Sequence, residues 1–215
     1  MTAQRTASLG RMVSSWNDSR RAFTDAGQWF VRTTALVADR WNEPALGEWD
    51  VRALVGHTSR SLLTVERYLA QPATDVDVAS AVDYFRQTRT IAAGPAVAAR
   101  GRDAGAALGV DPSAAVAEIS ARVLPLVEGR TGSELVTTIA GGMRLADYLP
   151  TRTFELAVHT ADLASALGVP PDVPETAARQ ALGLVTELAV EDGRAGPLLL
   201  AATGRPGLPS GFSVL

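Results

Sequence analysis

The stretch TRTFELAVHTADLASAL at residues 151–167 decides the fold. It reads as a helix with a recognisable stop, Gly168 followed by Pro170 and Pro171. Glu155 and His159 stand one helical turn apart on it and Asp162 follows within the next turn, so all three project from one face. A carboxylate and an imidazole placed in this way can share one bound ion.

Toward the N-terminus the helical period recurs. Asp50 stands as an N-cap ahead of VRALVGHTSRSLLTVERYLA, in which Val51, Leu54, Val55, Thr58, Leu62, Val65 and Leu69 form the stripe expected to be buried. His57 lies one step from its centre. Residues 14–37 read as a long first helix bearing Trp16, Phe23, Phe30, Ala35 and Val37, and NEPALGEW then interrupts the period with Pro44 and Gly47. A third helix is predicted over 78–93 with Tyr84, Phe85 and Ile91, broken at Gly94-Pro95. AVAARGRDAGAALG suits a short helix, and Asp111-Pro112 is a cap-and-proline start for SAAVAEISARVLPLVEG, interrupted at Pro125.

ELVTTI at 134–139 is β-branched and runs into Gly141-Gly142, which suits a short strand or hairpin. A last helix is expected over 174–191 and a coil-like tail beyond it. No repeat or linker divides the chain. The expected architecture is one all-α-dominated domain over 1–215: a four-helix bundle over about 12–191, extra short helices, room for a small β-hairpin, and a tail over 192–215.

The bulk properties narrow the function. A chain of 215 residues buries a core without disulfides, and the absence of cysteine fits a reducing, cytoplasmic setting. It also means that the protein cannot supply its own thiolate. A net charge of −3 and a pI near 5.4 lack the basic footprint that nucleic acid requires. Neither a signal peptide nor an apolar run long enough to span a membrane is present in the sequence. All 20 basic residues are arginine and isoleucine occurs only at 91, 119 and 139, a pattern of GC-rich codon bias that warns against reading every arginine as an anion clamp. Arg86, Arg89 and Arg152 are candidates for an anionic substrate, with a solvated helix face as the equal alternative. Trp16, Trp29, Trp41 and Trp49 read as core and loop anchors.

The chain has 2 histidines, and both fall in predicted helices. His57 from a neighbouring helix would complete, with Glu155 and His159, a two-histidine, one-carboxylate set that leaves coordination positions open. Asp162 suits an acceptor for a ring N–H better than a fourth ligand. Glu–His pairs at this spacing are also ordinary helix-surface contacts, and buried histidines are usually hydrogen-bonded core residues, so spacing alone leaves these readings open. HExxH, a P-loop and a nucleophile elbow are all absent.

Trp-Asp-Val-Arg-x-Leu-x-x-His at 49–57, RTFELAVHTADL at 152–163 and LLLAATGRP at 198–206 resemble the mycothiol-dependent maleylpyruvate isomerase family, in the DinB-like group of metal-binding four-helix bundles. The resemblance implies His57, Glu155 and His159 as ligands of a divalent ion, zinc or alternatively nickel, and a low-molecular-weight thiol such as mycothiol as cosubstrate. It implies an isomerase or thiol S-transferase acting on a small electrophile, and by analogy a homodimer. Some members append a further C-terminal domain, for which 215 residues leave too little chain. The competing expectations are a non-catalytic metal-binding regulatory or interaction protein on the same bundle, and a helical scaffold whose histidines are merely buried.

Overall fold

A computed structural model describes residues 15–92, 95–205 and 207–215. The break expected at Gly94-Pro95, the packing expected of Ile91 and the start of the first helix at Ser14 lie outside the described residues.

Helix α1 spans Trp16–Thr34 and opens with a capping box, in which the Ser15 hydroxyl accepts from Asp18 N–H and the Asp18 carboxylate accepts from Ser15 N–H. Ala35 lies past its end and is exposed. Helix α2 covers Val51–Leu69, with the Asp50 carboxylate accepting from Ala53 N–H at 2.7 Å. Helices α3 and α4 follow at Ala81–Ala92 and Pro95–Ala107. Helix α5, Pro112–Val123, is capped by Asp111 at Ala114 N–H, and at Pro125 the chain tightens into a 3₁₀ turn over Leu124–Val127. Helices α6, α7 and α8 are Leu145–Ala166, Glu175–Glu191 and Ala195–Ala202.

The irregular segments hold two antiparallel hairpins. Strands β1, Pro44–Leu46, and β2, Trp49–Asp50, close the NEPALGEW stretch around Gly47, whose φ of +57° suits glycine. Strands β3, Leu135–Thr138, and β4, Gly141–Arg144, realise the predicted hairpin with Val136 opposite Met143.

Two expectations change. Helix α6 begins well before Thr151 and runs through Pro150, which has no N–H to offer the preceding turn. Beside it Thr151 Oγ1 donates to Tyr148 C=O at 2.7 Å and Thr153 Oγ1 to Leu149 C=O at 3.3 Å. The tail is also partly helical, because PLLLAA carries strong helix formers between its glycines.

Helices α1, α6, α2 and α5 pack as a closed ring, the four-helix bundle. Phe23, Phe30, Leu54, Leu62, Leu149, Leu156 and Leu163 are fully buried within the core. Helix α7 lies against α1 and α6, and α3 against α6 and α7. On the predicted α2 stripe every residue but the half-buried Leu69 is buried. Ala53, Gly56, Ser59 and Ser61 are buried too, since α4 covers a second flank of α2. Glycine permits this: a Cβ on Gly56 would overlap the backbone of Ala104 and Gly105, and one on Gly105 would come within 2.7 Å of Arg52 C=O. Helices α2 and α6 run antiparallel, with His57 beside His159 near one end of their contact and Tyr68 beside Tyr148 near the other.

Gly56→Ala is therefore expected to destabilise the protein by about 1–3 kcal/mol, the usual cost of overpacking. Gly183→Ala, in open space on α7, should stabilise by about 0.5–1 kcal/mol through helix propensity. Denaturant unfolding of the two variants checks both signs.

Candidate metal centre

Three donors meet where α2 and α6 pass. His57 comes from α2, Glu155 and His159 from α6, and one potential ligand atom of each lies within 4.8 Å of the others. The imidazole rings of His57 and His159 stand edge to face with centroids 4.9 Å apart. His159 Nε2 faces Glu155 Oε2 at 3.3 Å while Nδ1 pairs with Asp162 Oδ2 at 3.1 Å. Asp162 thus holds the His159 ring from behind, leaving the opposite nitrogen toward Glu155.

Trp49 forms a wall that the sequence reading placed only among the anchors. Its ring centroid lies 4.5 Å from that of His57 and 6.4 Å from that of His159. Its indole N–H donates to Ala98 C=O at 3.0 Å, and Gly101 leaves room for the ring, since a Cβ there would press into the indole at 2.5 Å. The signal was present in the sequence, eight residues before His57, but β2 and α4 had to be placed before it could be read.

The arginines divide. Arg86 pairs with Glu191 at 3.2 Å and Arg89 with Asp192 and Val214 C=O, tying α3 to the end of α7 and the tail. Arg152 instead shares the α6 face with Glu155 and His159, one turn before Glu155. Its guanidinium carbon sits 5.1 Å from the Tyr148 ring centroid and 5.4 Å from that of Tyr84. A separate open groove of about 450 Å³ between α1 and α5, lined in part by Gln28, Arg32, Ser120 and Glu128, contains none of these groups.

The environment sets the protonation states without metal. Burial, followed by the charge on His159, lowers the His57 pKa to about 4 against the weaker pull of Glu155. For Glu155 burial alone would raise the pKa, but the His159 hydrogen bond and the charges of Arg152 and both histidines prevail and hold it down at about 2. Burial would lower His159, yet its hydrogen bonds to Asp162 and Glu155 and their charges raise it to about 9.

The residues fit a divalent ion. Two imidazoles and a carboxylate suit zinc, nickel or iron, and three protein donors leave positions open. His57 Nδ1 is buried with no hydrogen-bond partner among the described residues, which costs about 1–3 kcal/mol in a purely structural histidine. Among the described residues no other cluster of three such donors occurs, and no helix there is long and apolar enough to cross a membrane.

The family model for the mycothiol maleylpyruvate isomerase N-terminal domain matches residues 21–164, about two thirds of the chain. The chain belongs to that family, and its fold is the DinB-like bundle. Searches of curated proteins and of solved structures found no match.

Because His159 is protonated at neutral pH in the metal-free protein while His57 and Glu155 are not, metal uptake at pH 7 should release about one proton. Affinity should rise as pH climbs toward 9 and level off above it. Calorimetric titration with zinc in buffers of different ionisation enthalpy counts the protons. Asp162→Asn, which removes one support of the raised pKa, should lower the proton count at pH 8.

Proposed function

We propose that this member of the mycothiol maleylpyruvate isomerase N-terminal domain family holds one divalent ion, zinc or nickel, through His57, Glu155 and His159. With a low-molecular-weight thiol such as mycothiol it isomerises, or conjugates, a small electrophile. The observation that carries this reading is the convergence of three donors from two helices, their potential ligand atoms within 4.8 Å of one another, a number that would leave coordination positions free on a divalent ion.

A divalent ion bound there would supply the positive charge that keeps a thiol deprotonated, and so nucleophilic, at neutral pH. The chain supplies the rest of the setting. Asp162 fixes the His159 ring through Nδ1, which orients Nε2 and makes the imidazole a better donor. The Trp49 ring shields one side from water. With no cysteine in the sequence, the sulfur nucleophile must arrive as a cosubstrate. In the isomerisation, thiol sulfur adds to one carbon of a cis double bond conjugated with a carbonyl, and the adjacent carbon takes up a proton. The new single bond rotates. Loss of that proton and departure of the same thiol then restore the double bond as trans. A transferase would stop at the adduct.

A second reading, a metal-binding module without catalysis, draws on the extent of the family match, which covers an N-terminal domain. Metal content of protein purified without a histidine tag separates the possibilities at their root. About one equivalent is expected in the wild type and none in His159→Ala. Cobalt-substituted protein should then develop a sulfur-to-metal charge-transfer band on addition of a thiol, and thiol-dependent turnover should fall at least a hundred-fold in His159→Ala. A band without turnover of any electrophile would favour the binding module. Absence of metal after incubation with zinc and nickel would sink both.

A further inference from the structure

The two imidazoles of the donor set are held in different ways. His159 has the hold usual for a metal-binding histidine: Nδ1 pairs with Asp162 Oδ2 at 3.1 Å, which fixes the ring while Nε2 faces Glu155. His57 lacks one. Among the described residues no hydrogen bond holds its ring, and Nδ1 is buried without a partner. The torsion that turns an imidazole about its Cβ–Cγ bond has broad minima, so something other than a hydrogen bond must set the plane of this ring. Trp49 lies against it, with centroids 4.5 Å apart and planes 35° from parallel, whereas His159 meets the same indole nearly edge-on at 6.4 Å and 70°.

Trp49 is itself fixed from several directions. Its backbone pairs with Leu46 in the first hairpin and directly precedes Asp50, the cap of α2. Its indole N–H donates to Ala98 C=O at 3.0 Å, and Gly101 seats the ring so closely that a Cβ there would come within 2.5 Å of it. The residue is buried. A ring with so little freedom can orient the one that packs on it. The chemistry suits the task as well, because an imidazole bound to a divalent ion shares its positive charge, and the π face of an indole attracts positive charge.

Resting on the reading given under Proposed function, we infer that Trp49 is a positioning residue of the metal centre: its indole holds the His57 imidazole ready to ligate, in place of the hydrogen bond that Asp162 gives His159. Helix α4, which contributes no donor to the cluster, thereby takes part in metal binding through Ala98 and Gly101. Without the indole, His57 becomes the donor that lets go first, and metal leaves faster.

The test measures zinc affinity, the rate of zinc release to excess chelator, and the visible absorption bands of cobalt-substituted full-length protein. Trp49→Leu should weaken zinc binding about 10–100-fold, the range for losing a group that orients a ligand, mostly through faster release, and should shift the cobalt bands as one imidazole loosens. Trp49→Phe keeps an aromatic face without the indole N–H and should fall between wild type and the leucine variant. Gly101→Ala displaces the indole without removing it. It should weaken zinc binding in the wild-type background and cost nothing more in Trp49→Leu, since both changes act through one ring. If Trp49→Leu does not fold, Trp49→Phe and Gly101→Ala decide the matter. Zinc affinity and cobalt bands unchanged in the variants that fold, or a Gly101→Ala effect just as large without the indole, would overturn the inference and leave the metal reading in place. Absence of zinc from the wild type would overturn both together.

Discussion

The antiparallel contact between α2 and α6 is the constraint on which the site depends. At one end Tyr148 donates its hydroxyl to Thr64 at 3.0 Å and packs its ring against Tyr68. At the other, the same separation of helix axes brings the imidazoles of His57 and His159 edge to face. Buried leucines on both helices fill the space between. Interiors packed at crystal-like density yield little, so the distance between the histidines is set by the core that surrounds them. Glu155 and His159 hold their spacing by helix geometry alone, but His57 reaches them only through this packing.

A second layer of packing serves the same place. The glycine contact between α2 and α4 lets the outer helix lie close enough for Ala98 to accept from the Trp49 indole and for Gly101 to seat the ring. The wall of the site is thus built from a two-residue strand and a helix that belongs to no part of the four-helix ring. Burial then acts on charge. Taken out of water, His57 becomes a neutral donor, while His159, hemmed by Asp162 and Glu155, keeps a proton that a bound cation would replace. A carboxylate, two imidazoles and a guanidinium within a few turns of helix form a small electrostatic unit in which each group's state depends on the others.

Much of this was legible in the sequence because it is local. Asp50 and Asp111 cap the helices they were expected to cap, since an N-cap needs only a side chain and the N–H groups that follow it. The β3–β4 hairpin was written in ELVTTI and two glycines. Helix α6 was read as starting at Thr151, but it begins at Leu145 and runs through Pro150. The threonine hydroxyls that bond the carbonyls of Tyr148 and Leu149 beside it become visible only once the chain is folded. Trp49 was read as an anchor, which it is, but its second surface against the two histidines requires β2 to deliver it there.

By itself the sequence determined the helices, the face on which Glu155, His159 and Asp162 stand, the absence of any cysteine, and His57 as the only other imidazole available. Periodicity and composition are properties of neighbours along the chain, so these could be read without coordinates. The tertiary structure decided that His57 arrives within ligand distance, that Trp49 closes one side, and that of three candidate arginines Arg152 alone faces the donors while Arg86 and Arg89 brace the end of α7. Those outcomes turn on how helices far apart in sequence cross and on which charges find partners when water leaves, and no local pattern encodes either.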